Sequence, residues 1–225
     1  MSNDSSSAGL ERFRHIVVEG PIGAGKTTLA RKLAAHLGAD LLLEQPQENP
    51  FLDRFYEDMP GYAMQTQLFF LFQRLKQMQT VAQPGMFAPA VVSDFLFAKD
   101  ALFARLNLSD DEFRLYSQMY AQAAPQVREP DLVIWLQASP ATLLQRIRKR
   151  GISMEQGISA DYLQRLCDAY VEYFHGYGGA PVFALGTEQF NPIERDEDFA
   201  TLLHRLEHFK GPREFFHSHV EIPFT

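Results

Sequence analysis

The sequence predicts a three-layer α/β fold: a five-stranded parallel sheet covered by helices on both faces. Three observations predict it. Short, continuously apolar runs alternate with helical patterns, as expected of strands buried on both faces. The first run leads directly into the octapeptide Gly20-Pro21-Ile22-Gly23-Ala24-Gly25-Lys26-Thr27, and a helical pattern follows it. No linker, internal repeat or low-complexity tract beyond Ser5-Ser6-Ser7 interrupts the alternation.

The elements follow in order. Residues 15–19 form the first strand, ended by glycine. Residues 26–37 form a helix with Leu29, Leu33 and Leu37 on one face and Gly38 as its stop. A second strand covers 41–44 and a short helix 51–58, after Pro50. Residues 61–81 read as a long helix with apolar positions at 64, 68, 71, 72, 75 and 78. A third strand covers 90–94. Ser109 and Glu112 make a capping box that starts a helix running to about 125. The fourth strand, 132–136, is apolar throughout; Ser139-Pro140 then opens a helix to 150. A helix from 159 to about 175, a fifth strand at 181–185 and a helix at 195–208 complete the pattern. One domain is expected over 14–210, with a loose polar leader at 1–13 and a tail at 211–225 whose structure the pattern does not specify.

The chain has 225 residues, 46% hydrophobic and 22% charged, enough for a full core without covalent staples. Its net charge is −7, so it has no general attraction to nucleic acid polymers or anionic lipid. No stretch approaches the roughly 20 apolar residues of a membrane span. The single cysteine, Cys167, excludes an internal disulfide and fits a reducing, cytoplasmic setting. His204 and His208, like His217 and His219, read as surface histidines: no acidic or cysteine ligand stands near them in the sequence.

The octapeptide matches G-x-x-x-x-G-K-[ST] at every fixed position, with a strand before it and a helix after it. Its glycines let backbone N–H groups converge on phosphate oxygens, and the helix N-terminus adds partial positive charge. Residues 20–28, including Thr28, are therefore expected to cradle the phosphates of ATP. Lys26 should reach the β- and γ-phosphates, and the Thr27 hydroxyl should ligate Mg²⁺. Asp94, ending the third strand, is the second expected Mg²⁺ group, directly or through water; the alternative is an acid that caps the following segment. A loop that binds nucleotide without catalysis is the alternative for the motif as a whole.

The acceptor side rests on a resemblance. Residues 44–52 followed by Phe55-Tyr56-Glu57-Asp58, then Gln65-Thr66-Gln67 with Arg74, then 94–100, and the basic run 146–150 followed by Glu155-Gln156-Gly157-Ile158, resemble the deoxynucleoside kinase family over about residues 14–175. The bacterial deoxyadenosine and deoxyguanosine kinases are the members it resembles most. The resemblance implies transfer of the γ-phosphoryl group of ATP to the 5′-hydroxyl of a purine deoxynucleoside. It implies Glu44 as general base, Tyr56 and Glu155 as holders of the 3′-hydroxyl, and Gln67 as reader of a base edge. Arg74 with Asp100 would contact the base, and Arg146 and Arg150 would close over the triphosphate as a lid. It also implies a homodimer, with the helices at 61–81 and 109–125 as candidates for the pairing. Without the resemblance, Tyr56 reads as half-buried packing, Glu155 as a surface charge and Arg74–Asp100 as a structural ion pair. Phe69, Phe70, Phe72, Phe95 and Phe97 read as core, with one or two free to stack on a base.

The match departs from the family in two places. Many members carry an acid, an arginine and a serine or threonine after the third strand; here the run is Asp94-Phe95-Leu96. A lid arginine position is also taken by Ile152. Two rival readings follow: a nucleoside monophosphate kinase, which would need further arginines for an acceptor phosphate, and a non-catalytic nucleotide-binding subunit.

Overall fold

The computed structural model describes residues 9–81 and 90–217. Strand β1 (His15–Glu19) is buried along its whole length, as its apolar run requires. The phosphate loop leads into α1 (Lys26–Leu37), and β2 (Asp40–Leu42) follows. Helices α2 (Leu52–Glu57) and α3 (Met59–Val81) precede β3 (Val91–Ser93). Helices α4 (Asp100–Asn107) and α5 (Asp110–Ala123) lead to β4 (Leu132–Gln137). Then come α6 (Pro140–Arg150), α7 (Ala160–Gly176), β5 (Val182–Gly186), α8 (Asp196–His208) and β6 (Arg213–Phe216).

The sheet has six strands in the order β2-β3-β1-β4-β5-β6, and every pairing is parallel. The expected five strands are all present. The sixth, β6, lies in the stretch expected as a tail of unspecified structure, where it pairs with β5 from Val182↔Arg213 to Leu185↔Phe216. Four residues are too few to show a period. The chain leaves β1 toward β2 on one side and later returns to add β4 on the other. The crevice outside the carboxyl ends of β1 and β3 is thus a switch point, where open α/β sheets bind ligands.

Several expected boundaries shift. Strand β2 ends at Leu42, so Glu44 lies in the loop beyond it, held by its backbone N–H donating to Asp94 Oδ1 at 2.7 Å. Helix α3 begins two residues early because Pro60 fits a first turn, where a missing N–H leaves no bond unmade. The sequence reading gave no counterpart to α4. The leader expected through residue 13 is packed from residue 10 on: Leu10 is 1% exposed, and Arg12 donates to the carbonyls of Leu206, Glu207 and Phe209 at the end of α8. Residues 1–8 and 218–225 lie outside the described residues. The capping box at Ser109 and the serine caps at Ser139 and Ser159 form as expected.

Two cores result. The larger unites the sheet with α1, α6, α7 and α8. The smaller lies among α2, α3, α4 and α5 and includes Phe55, Phe70, Phe95, Phe97 and Tyr116. The cavity beside the phosphate loop takes wall residues from both.

Candidate active site

The phosphate loop takes its shape from glycine. Gly25 has φ +96°, and a Cβ there would lie 2.5 Å from Ile193 Cδ1; Gly23 has φ +84°, with Leu143 O 2.9 Å from such a Cβ. Lys26 Nζ rests on the carbonyls of Gly20 (2.8 Å) and Pro21 (3.1 Å). Beside it, Thr27 Oγ1 donates to Asp94 Oδ2 at 2.5 Å, so the hydroxyl and the carboxylate expected at a metal stand together.

A cavity of about 240 Å³ opens from this loop. Its wall carries Ile22, Gly23, Lys26 and Thr27 from the loop and α1, Asp94 from the end of β3, and Glu44, Tyr56, Gln67, Arg74, Arg150 and Glu155. The lysine and the second-strand acid thus face one space. A second cavity, of about 380 Å³, adjoins it: Gly23 and Arg150 line both, with Ala24, Gly25, Thr28, Arg146, Thr187 and Ile193 around the second.

The charges are arranged in a chain. Arg74, buried to 4% exposure, donates to Glu44 Oε1 through Nε at 2.8 Å and through a terminal nitrogen, and it pairs with Asp100. Among the described residues no donor is bonded to Glu44 Oε2, which leaves that oxygen for a substrate proton. Burial alone would raise the Glu44 carboxyl; Arg74, Lys99 and Lys26 outweigh it and hold the group at about 2, ionised across the neutral range. Burial and the neighbouring Lys99 pull Lys26 below the ordinary lysine value. Burial raises Asp94 despite the bond from Thr27.

Of the expected substrate residues, Gln67 is 3% exposed, and its Oε1 has no hydrogen-bond partner among the described residues. The neighbouring Thr66 Oγ1 is equally unpartnered. A buried amide oxygen without a donor costs stability unless a ligand supplies one. Tyr56 is on the wall, its phenol pushed far up by burial. Glu155 is on the wall too, paired with Arg150. Asp100 is placed otherwise than its neighbours: fully buried, it stands behind Arg74 and is not part of the cavity wall. Arg146 donates to Thr187 Oγ1 (3.0 Å) and Thr187 O (2.6 Å). Among the phenylalanines, Phe70 lines the cavity, Phe95 and Phe97 are core, and Phe72 is exposed.

The family model for deoxynucleoside kinases matches residues 16–209. The chain belongs to the deoxynucleoside kinase family. Within the family, it is 36% identical to a deoxyguanosine kinase of Bacillus subtilis over 156 residues, covering 69% of this chain and 75% of that protein. It is 33% identical to a deoxyadenosine kinase of Lactobacillus acidophilus, covering 78% and 86%. A solved structure of deoxyadenosine kinase from M. mycoides with bound dATP superposes with TM-score 0.74 at 25% identity, covering 85% of this chain and 98% of that one.

Sequence reasoning missed Lys99, Phe103 and Thr66 on the cavity wall. The available signal was the isolation of Lys99: it stands in Phe97-Ala98-Lys99-Asp100-Ala101-Leu102-Phe103, where a lone cation among apolar residues is out of keeping with a solvated face.

Proposed function

We propose that this kinase transfers the γ-phosphoryl group of ATP to the 5′-hydroxyl of a purine deoxynucleoside, giving the 5′-monophosphate and ADP. The observation that carries the reading is the shared cavity: Lys26 and Glu44 face one space, and the unpartnered Gln67 Oε1 waits in its wall.

In this reading the triphosphate lies on the loop of residues 20–28, with the nucleotide's remainder in the adjoining cavity lined by Arg146 and Ile193. The bond from the γ-phosphorus to its bridging oxygen breaks as the bond to the 5′-oxygen forms, and the hydroxyl proton passes to Glu44 Oε2. Lys26, Arg146 and Arg150 hold phosphate charge. Tyr56 and Glu155 hold the 3′-hydroxyl. Gln67 presents an acceptor and a donor to a base edge, and Phe70 supplies an aromatic surface beside it. Arg74, anchored by Asp100, orients Glu44 and faces the same space.

Thr27 and Asp94 would hold Mg²⁺: two oxygen donors side by side are the hard ligands that ion takes. When bound, the ion would neutralise phosphate charge. A monophosphate kinase would need further arginines for an acceptor phosphate, whereas the arginines of this wall, Arg74 and Arg150, are already paired with Glu44 and Glu155.

The purine preference draws support from the two relatives described, a deoxyguanosine kinase and a deoxyadenosine kinase, although another relative is a deoxyadenosine/deoxycytidine kinase. A homodimer through α3 and α5 draws support from Phe72 and Leu115, exposed by 52% and 53% on those helices. The test of function is an acceptor panel with ATP and MgCl₂. Deoxyadenosine or deoxyguanosine should be converted fastest, deoxycytidine and thymidine more slowly, and deoxyadenosine monophosphate not at all. Turnover of none of the four nucleosides would overturn the proposal.

A further inference from the structure

A lysine ammonium carries three donors and is expensive to bury unless they are used. Lys99 is 2% exposed, yet its pairings are long: Glu19 Oε2 at 3.4 Å, Glu19 Oε1 at 3.5 Å and Glu44 Oε1 at 3.7 Å. The ring of Phe103 stands 5.6 Å from its nitrogen. Good ammonium bonds to oxygen are several tenths of an ångström shorter.

Glu19 does not need Lys99 for its own sake. Its carboxylate already accepts from Gly20 N (2.8 Å), Leu96 N (2.7 Å) and the Tyr170 hydroxyl (2.8 Å). The ammonium is therefore a buried cation with donors to spare. It faces the cavity that Lys26, Thr27, Glu44 and Asp94 also face. The two phenylalanines of this segment, Phe95 and Phe97, are sealed in the smaller core, and Lys99 is the one cation of 94–100 and lies on the cavity wall.

We propose that Lys99 is a catalytic cation of the transfer step, donating to the 5′-oxygen and the phosphoryl oxygens as the group passes between them. This rests on the kinase reading above. The bond changes are those already given; Lys99 keeps its protons throughout, while the hydroxyl proton goes to Glu44. Its influence reaches both partners of the reaction: it lowers the Glu44 carboxyl and the Lys26 ammonium alike.

The test is Lys99→Met, which keeps the length of the side chain and removes the charge. In the variant, kcat on the best nucleoside of the panel should fall about 100-fold or more. Equilibrium dissociation constants for ADP and for that nucleoside should change less than about three-fold, since the donors are used mainly in the transition state. The complex of MgADP, aluminium fluoride and nucleoside, which mimics the transferring group, should bind the wild type tightly and the variant no better than the ground-state ligands. A kcat near the wild-type value, or a fall in kcat matched by equal loss of nucleoside binding, overturns the assignment. If Lys99→Met does not fold, the double variant Glu19→Gln/Lys99→Met, which leaves no lone buried anion at Glu19, is measured in the same way and judged by the same outcomes. The wild-type control separates the two claims: an inactive wild type defeats the kinase reading, whereas an active wild type with an undiminished variant defeats only the role of Lys99.

Discussion

At the scale of single residues, the site is a problem in burying charge. Glu19, Glu44, Asp94 and Asp100 are set against Lys26, Arg74 and Lys99 within two elements' reach of one cavity. Such groups are tolerated only when each finds a partner, and removing one strands another. In the proposed mechanism Glu44→Gln removes the proton acceptor and relaxes Arg74. The expected result is a kcat lower by about 10²–10⁴-fold, with nucleoside binding retained, checked by steady-state kinetics and calorimetry. The pH dependence follows from the depressed carboxyl. Glu44 must be ionised to act, and it is held at about 2 against an ordinary 4.5. Wild-type kcat/KM should therefore show no acid limb from this group between pH 4.5 and 8. The same depression contributes stability that is fully present above pH 4.5 and is lost as pH falls toward 2. In Arg74→Gln the leading cation is gone, the carboxyl rises, and an acid limb should move up into the measurable range. The places of Lys26 and Thr27 beside one cavity were legible in the spacing of the phosphate loop, and that of Glu44 in the family resemblance. The surroundings of Lys99 were not legible, because they are made by Glu19 and Glu44, 80 and 55 positions away in the chain.

At the scale of elements, local signals performed well where the chemistry is local. Serine caps and proline first turns act within four residues, so the starts of α5, α6 and α7 were legible. The Ser109 box is the clearest: Ser109 and Glu112 each accept from the other's backbone N–H. Ser109→Ala should cost about 1 kcal/mol and lower the melting temperature by about 2–4 °C, with kcat unchanged, as read by calorimetry and the nucleoside assay. Helix α4 and strand β6 went unread for opposite reasons. Helix α4 follows β3 almost without a break, after a single 3₁₀ turn at Phe97–Lys99, and its cap Lys99 makes no side-chain capping bond. Strand β6 is four residues long and exists because β5 offers it an edge.

At the scale of the whole molecule, the active site is a product of two cores meeting. Sheet elements bring Lys26, Thr27 and Asp94, and the helical cluster brings Tyr56, Gln67, Phe70 and Arg74. Some large apolar side chains stand exposed outside both cores, among them Phe72 and Leu115. Association through α3 and α5 predicts a species of twice 25.6 kDa in sedimentation, and Phe72→Glu should shift it toward the monomer at micromolar concentration. A wild-type protein that sediments as a monomer at every concentration would remove that interface.

The sequence by itself determined the α/β alternation, the phosphate loop, the acids after the second and third strands and the family of the chain. These depend on spacing along the backbone, which folding preserves. The tertiary structure alone decided that Arg74 grips Glu44 as well as Asp100, that Asp100 stands behind the cavity, that Phe95 is sealed away and that Lys99 lines the cavity beside Lys26 and Glu44. Those facts are electrostatic and steric relations between residues far apart in the chain, and no such relation exists until the sheet order brings β1, β2 and β3 together.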